Sequence, residues 1–524
     1  MRIFIQFSPK FLQWPLAIAR ELRRRDPEIR FSGLATGQRS VFERVAAALD
    51  LEVAPLHRLD DLERRWLATP CDETRLADYE ARLGADTLRR IVTSDRQLGA
   101  GLVSGARAPE TPLSRAVGDP EMVRRYVVGL LDYVFETLEE TRPDLVFCYT
   151  VAFAPALALA TACRQLGIPF AQLTTARLDA LYVVDDSVDA TLAPVRRRFE
   201  EALRNPRVLE HSLPVARKHL EQFRATLGQP DYVAFNRRLQ VRRQSSAVII
   251  REGILALRRT ARQAFGREVQ DLRVPSPLAR LSHAALVALR ARRLTRQGPF
   301  RSVGEIPKRR FAYFPLHVDP EASTMVLAPM HTDQLAAVEA LVKSLPLSMD
   351  LVVKEHSPML GLRPRGFYRR LARMPGVVLA SPFENSLELM KRSAFTAVIT
   401  GTAAWEALRL KRPVLIIGAS PYCAIGQGFV HCPDLSDLPS AVSQALSSVP
   451  ATDERLELYL AALLDLSFEF PTELFWGNVT AETVRRNPRI ATAIADRLLE
   501  IVRLTQAQDS DTLRHAERDR TRAG

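Results

Sequence analysis

Cysteine is scarce in this chain of 524 residues: there are five, Cys71, Cys148, Cys163, Cys423 and Cys432, and no two are spaced as Cys-x-x-Cys. An odd, scattered set argues against a disulfide framework or a cysteine-based zinc site and fits a reducing compartment. Lysine is also scarce, 7 residues against 66 arginines. The opening MRIFIQFSPK has too short an apolar run for a signal peptide, and ELRRRD follows soon after. No repeat of solenoid period is present. A metal-binding Asp-x-Asp is missing from both regions that read as α/β. Asp509-Ser510-Asp511 has that spelling but stands in the charged C-terminal stretch, where it reads as solvated.

Only one uncharged stretch is long. Leu145 to Cys163 reaches the length of a membrane span. Its grammar is that of a βαβ unit instead. DLVFCY (Asp144–Tyr149) reads as a buried strand, Pro155 opens a helix that ends near Leu166-Gly167, and IPFAQLT (Ile168–Thr174) is the next strand. A soluble or peripheral protein is expected.

What the chain does have is ordinary globular composition, 47% hydrophobic and 25% charged, and enough length for several domains. Its net charge of +13 is uneven. Between Arg237 and Arg310 there are 19 basic side chains against four acidic ones, so the rest of the chain is close to neutral. A basic coat like that of a nucleic-acid-packaging protein is thereby excluded. The segment is poor in aromatics (Phe235, Phe265, Phe300) and carries no recognised binding motif, so no nucleic-acid partner is expected. Its arginine pairs, Arg237/Arg238, Arg242/Arg243, Arg258/Arg259 and Arg292/Arg293, alternate with apolar stretches at Val248–Ile250, Ile254–Leu257 and Leu286–Leu289. That pattern suits an amphipathic helix on an anionic membrane surface. A solvated helical face packed on two domains gives the same pattern.

Five regions follow from periodicity and punctuation. Residues 1–195 read as an α/β domain, with a helical layer over about 60–140. Residues 196–305 form a basic helical inter-domain segment, broken by Pro275 and Pro277. Residues 306–450 alternate short Val/Ile/Leu-rich strands with helices, the sign of a parallel sheet covered on both faces. Closing helices occupy 451–505, and 506–524 is expected to be a disordered tail. The fold class is therefore α/β.

Three polar clusters fall where the strands of 306–450 end, the edge at which doubly wound sheets bind ligands. The first is Lys354-Glu355-His356. The second is Thr400-Gly401-Thr402 leading to Glu406, where Gly401 permits a tight turn and Thr402 can cap a helix whose positive end suits a phosphate. Glu406 is placed to accept from a ribose hydroxyl or to complete a capping box. The third cluster is His317-Val318-Asp319-Pro320-Glu321-Ala322-Ser323-Thr324. Each alone is also what an ordinary strand exit looks like; their coincidence on one edge points to a site. For a catalytic carboxylate the candidates are Asp185 and Asp186, after LYVV, and Glu321 on the opposite side.

FPLHVDPEAST, DQLAAVEALVKSLP, LVVKEH, SPFENSLELMKRS and ITGTAAWEALRLKRPVLIIG, in that order over Phe311 to Tyr422, resemble the bacterial capsule polysaccharide biosynthesis family. The resemblance implies a GT-B fold, two Rossmann-type domains facing a cleft, here with the Arg-rich segment between them. It implies a glycosyltransferase whose nucleotide-sugar donor sits on the second domain, with a glycan or glycolipid acceptor and the catalytic carboxylate on the first. By likeness to transferases of CMP-activated sugars, His356 and Thr400 or Thr402 would contact the nucleotide phosphate. This chain departs from the His-Pro pair seen there, having Ser357 before Pro358. CMP-Kdo is the first donor implied, with UDP-sugars open. Donor binding is assigned to His317, Lys354, Glu355, His356, Thr400, Gly401, Thr402 and Glu406, with no metal and no cofactor beyond the sugar nucleotide. Lys354, a protonated His356 and the helix end at Thr402 would stabilise the departing nucleotide. The expected location is cytoplasmic, peripheral on the inner membrane face. Two other readings share these features, a UDP-sugar 2-epimerase and a non-catalytic, membrane-associated assembly factor.

Overall fold

Strands β1 (Arg2–Phe7), β2 (Arg30–Ala35), β3 (Leu56–Arg58), β4 (Leu145–Cys148), β5 (Phe170–Thr175) and β6 (Leu181–Asp185) make most of the first sheet. Its order is β3-β2-β1-β4-β5-β6, parallel except for β6. The computed structural model describes residues 1–227 and 271–523, apart from 38, 103–107, 179, 190, 307 and 478, together with 253–255 and 258; side chains are described as far as 506, apart from 39–41 and 48. Arg237, Arg238, Arg242, Arg243 and Arg259 lie outside the described residues.

The second sheet comprises β7 (Phe311–Pro315), β8 (Asp350–Lys354), β9 (Val377–Ala380), β10 (Thr396–Val398), β11 (Val414–Ile416) and β12 (Phe429–His431), all parallel, in the order β12-β11-β10-β7-β8-β9. Every residue of β7, β8, β10 and β11 is buried, which is why their middles read as apolar without alternation. Both sheets thus have the doubly wound order, reversing between β1 and β4 and again between β7 and β10. The molecule is α/β with two Rossmann-type domains, the GT-B arrangement.

The uncharged stretch Leu145–Cys163 divides into β4 and the helix Ala154–Leu166, with Pro155 in its first turn and Gly167 ending it at positive φ. Among the described residues no helix is long and apolar enough to cross a membrane. Helices Leu59–Ala68, Glu73–Leu83, Ala85–Ser94 and Pro120–Thr141 cover one face of the first sheet, the layer expected over 60–140.

The last part of the chain returns to the first domain. After the helix Asp453–Leu466, strand β13 (Phe468–Glu469) pairs antiparallel with β6. The helix Pro488–Ala523 then covers the remaining face of the first sheet through Ile494, Ala495 and Leu498. Trp14 Nε1 donates to the Leu474 carbonyl at 3.1 Å. The helix runs on through 506–523, where a disordered tail is expected from the charge. Those residues include Ala, Gln, Leu, Glu and Arg, all good helix formers, which accounts for the backbone continuing.

The two domains are tied by residues 271–297. Arg273 donates to Glu63 at 2.7 Å, Asp95 at 2.8 Å and the Tyr126 hydroxyl at 2.8 Å, beneath the helical layer. Leu272 N–H donates to Asp60 at 2.9 Å. The helix Pro277–Gln297 then turns Ala291 into the core of the second domain. Gly361 is required there: a Cβ would stand 2.4 Å from the Val287 carbonyl oxygen. Removing the arginine leaves two buried carboxylates facing each other without their cation. Arg273→Met should therefore cost about 3–5 kcal/mol in chemical unfolding. A loss below about 1 kcal/mol would contradict a structural role for this cluster.

Candidate active site

β7 and β10 are neighbours in the sheet, and their exits diverge at the point where the strand order reverses. His317 follows β7 and Thr400-Gly401 follow β10. The Nε2 of His317 accepts from the backbone N–H of Thr400 at 3.2 Å and of Gly401 at 3.0 Å. A nitrogen accepting two N–H groups carries no proton, so the ring is the neutral tautomer with its hydrogen on Nδ1. Burial, with smaller contributions from His356, Arg363 and Arg177, pushes its pKa down to about 3. Gln334 brackets the same residue, accepting from His317 N–H at 2.7 Å and donating to its carbonyl at 3.2 Å.

This clamp changes the expected role of the second cluster. The N–H groups of Thr400 and Gly401 are committed to the imidazole, and the Thr400 hydroxyl donates to the Ser323 carbonyl at 2.7 Å. Thr402 has helical dihedrals and makes no side-chain capping bond, so the expected cap and capping box are absent. Gly401 serves close approach rather than a tight turn. Its φ is ordinary, and a Cβ there would lie 3.0 Å from His317 Nε2.

Below the clamp opens a cleft of about 170 Å³. His317, Glu321, Lys354 and His356 line it from the exits of β7 and β8, and Gly401, Thr402 and Glu406 from beyond β10. Burial, then the charges of Lys354 and Arg363, push the His356 pKa down to about 3. Burial first, and the two cations beside it second, keep this imidazole neutral, so the charge it would add to the site if protonated is not supplied.

Four of the predicted site residues do not line this cleft. Glu355 is buried and turned away: it accepts from Arg363 Nε at 2.7 Å, from the Tyr368 hydroxyl at 2.9 Å and from the His356 N–H at 2.8 Å. Thr400 is spent on the clamp. Asp185 is fully buried, accepting from the N–H groups of Ser187 at 3.0 Å, Leu192 at 2.9 Å and Ala193 at 3.2 Å, so it anchors the start of the helix Ala193–Arg204. Burial raises its pKa to about 6. Asp186 pairs with Arg197 outside the cleft. Of the three catalytic candidates only Glu321 faces the cleft, its Oε2 accepting from the Ser323 hydroxyl at 3.1 Å.

Sequence reasoning missed Arg177, Arg363 and Gln334. Arg177 stands between β5 and β6 of the first domain and lines the cleft opposite Lys354, bringing a second cation across the domain boundary. Its positive φ of 55° is the one local oddity, and sequence gives no sign of it. Arg363 is buried and donates to the His317 carbonyl at 2.6 Å as well as to Glu355, so it ties the exit of β7 to that of β8. A buried arginine in the loop after β8 announces itself only through partners distant in sequence. Among the described residues no group of three or more His, Cys, Asp or Glu is arranged to hold a metal.

The chain matches no known protein family and no curated protein in sequence. Among solved structures, UDP-GlcNAc 2-epimerase from Neisseria meningitidis bound to UDP-GlcNAc is similar over 94% of this chain and 100% of its own, at 12% identity and a TM-score of 0.21. The UDP-GlcNAc 2-epimerase of Methanocaldococcus jannaschii in complex with UDP-GlcNAc and UDP covers 89% and 99%, at 11% identity and 0.26. Thermosulfurimonas dismutans KpsC, a beta Kdo 2,7 transferase, covers 69% and 88%, at 12% identity and 0.30. Likenesses this slight carry no argument for either activity.

The depressed pKa of His317 has a signed consequence. Its unfolded value, near 6.5, lies above its folded value, so the unfolded chain binds the extra proton and stability falls as pH drops from about 6.5 towards 3. His317→Gln should flatten the stability–pH curve between about pH 6 and 4 by about one proton, or about 1.4 kcal/mol per pH unit. Equal slopes for the variant and the natural chain would contradict a buried, neutral His317.

Proposed function

We propose that this chain is a glycosyltransferase of capsular or surface polysaccharide assembly, taking a sugar from a nucleotide-sugar donor, first CMP-Kdo, to a growing, lipid-linked glycan. The observation that supports it is the cleft at the β7/β10 crevice, where cations from both domains, Lys354 and Arg177, converge beside two neutral imidazoles and the carboxylates Glu321, Glu384 and Glu406. Departure of an anionic nucleotide requires positive charge placed where charge develops. Lys354 and Arg177 supply it from opposite walls. The neutral His356 acts as a hydrogen-bond partner of the phosphate rather than as a second charge. Glu321, on the same wall as His317, is the group for proton abstraction or nucleophilic attack. Glu406, on the lining of the same cleft, is assigned to the ribose. These roles use only the chain's own residues, and no cofactor beyond the donor is called for.

A membrane-bound acceptor gives the exposed apolar residues of the inter-domain helix a role. On Pro277–Gln297, Leu278, Leu286 and Leu289 are 53%, 45% and 63% exposed and are followed by exposed Arg292, Arg293 and Arg296. Their spacing of eight and three residues keeps the leucines within one side of the helix. In our reading this face rests on the anionic inner surface of the cytoplasmic membrane.

Two measurements test these assignments. Thermal unfolding with saturating CMP or UDP should show stabilisation, about 2.7 kcal/mol at a hundredfold excess over Kd, that is lost in His356→Ala and Lys354→Ala. CMP selectivity supports a CMP-sugar donor, and UDP selectivity discards Kdo. Interconversion of a UDP-sugar without acceptor would replace transfer by epimerisation, and no response to either nucleotide would leave the assembly factor. In flotation, the protein should bind phosphatidylglycerol vesicles and not phosphatidylcholine vesicles. Leu278→Glu with Leu289→Glu should abolish binding; full binding by that variant would remove this helix from the interface.

A further inference from the structure

The first sheet has a reversal point of its own, between β1 and β4, and it is filled by aromatic rings. Phe11 follows β1, Tyr149 follows β4, and the two rings stack at 4.5 Å with 19° between their planes. Tyr149 stacks in turn on Phe475 at 4.8 Å, and Phe475 on Tyr182 at 4.2 Å. β6 runs antiparallel to β5, so Tyr182, near its start, lies at the carboxyl edge of the sheet. β13 runs antiparallel to β6, so the segment after it, which carries Phe475 and Trp476, emerges at the same edge.

Most of this array is core. Tyr149, Tyr182 and Phe475 are at most 3% exposed, and the Tyr149 hydroxyl is buried without a hydrogen-bond partner among the described residues. The array ends in a corner that is not buried. Trp476 is 39% exposed and meets the partly exposed Phe11 edge-on, at 5.8 Å and 70°. The Lys10 ammonium lies 5.2 Å from one ring and 5.3 Å from the other. Core packing accounts for the buried rings but not for an indole left open at the sheet edge where α/β folds take their ligands.

We propose that Phe11 and Trp476 form a saccharide platform, on which a sugar ring of the acceptor stacks. The C–H face of a pyranose is apolar and its hydrogens carry partial positive charge, so it sits on the negative face of an aromatic ring, while its hydroxyls stay in reach of polar groups at the rim. Arg177 links this corner to the nucleotide cleft: it lines the cleft and stands in the turn between β5 and β6, the strand that carries Tyr182. The polar crevice of the second sheet and the aromatic corner of the first then hold the two substrates of one transfer. The word acceptor rests on the transferase reading; the stacking itself does not.

The chain has four tryptophans, and Trp14, Trp66 and Trp405 are at most 4% exposed, so acrylamide quenching reports on Trp476. Millimolar chitotetraose or tetragalacturonate should shield it. Phe11→Leu, which keeps the indole, should weaken that saccharide about tenfold. Trp476→Leu should remove the quenching signal and, by saturation-transfer NMR, the binding. In both variants the stabilisation by CMP or UDP should persist. Shielding by neither saccharide, or binding unchanged in both variants, overturns the platform and leaves the nucleotide site standing. Shielding in a protein that no nucleotide stabilises upholds the platform and sinks the transferase reading instead.

Discussion

The imidazole of His317 joins two strands that are neighbours in the second sheet but far apart in sequence. Its backbone belongs to the exit of β7, and its Nε2 receives the N–H groups that open the path from β10. A protonated ring would have no lone pair to offer, so the junction requires burial deep enough to keep the ring neutral. Gln334 holds the backbone of His317 on both sides, and Arg363 carries the restraint on to Glu355 and the exit of β8. That set of contacts joins the exits of β7, β8 and β10, from which Lys354, His356, Glu321 and Glu406 reach the cleft.

A cleft between domains also needs the domains held in register. Here the chain crosses between them repeatedly. Arg273 fixes one end of the inter-domain helix to buried carboxylates of the first domain, and Ala291, with Gly361 close against Val287, packs its other part into the second. After the second domain is complete, β13 and the terminal helix return to the first sheet. The return places Phe475 and Trp476 beside residues from the exits of β1 and β4, giving the first domain an aromatic edge opposite the polar edge of the second.

Much of this was legible in sequence where the signal is local. The alternation from Arg310 to Gly418 located β7, β8, β9, β10 and β11, and the uncharged stretch after Asp144 was separable into strand and helix by Pro155 and Gly167. The clusters at His317, Lys354 and Gly401 stood out because three strand exits of one sheet carried them. Roles were harder, since a side chain's role depends on partners that only the fold supplies. Glu355 and Asp185 look like cleft carboxylates until Arg363 and the Leu192 and Ala193 amides occupy them. Thr402 looks like a cap until its own helical dihedrals put it inside the turn, with no side-chain bond to the amides that follow. Arg177 and Trp476 were invisible because one is a lone arginine in a turn and the other reaches the site from the far end of the chain. Strands β12 and β13 are too short for periodicity to detect.

Whether the β7/β10 crevice holds a nucleotide can be read from hydrogen–deuterium exchange with and without CMP or UDP. Exchange should slow on nucleotide binding in the segments around His317–Ser323, Lys354–Ser357 and Gly401–Glu406, with the aromatic edge at Phe11 and Trp476 unchanged. Protection confined to the first domain, or none at these three strand exits, would contradict a nucleotide in this crevice.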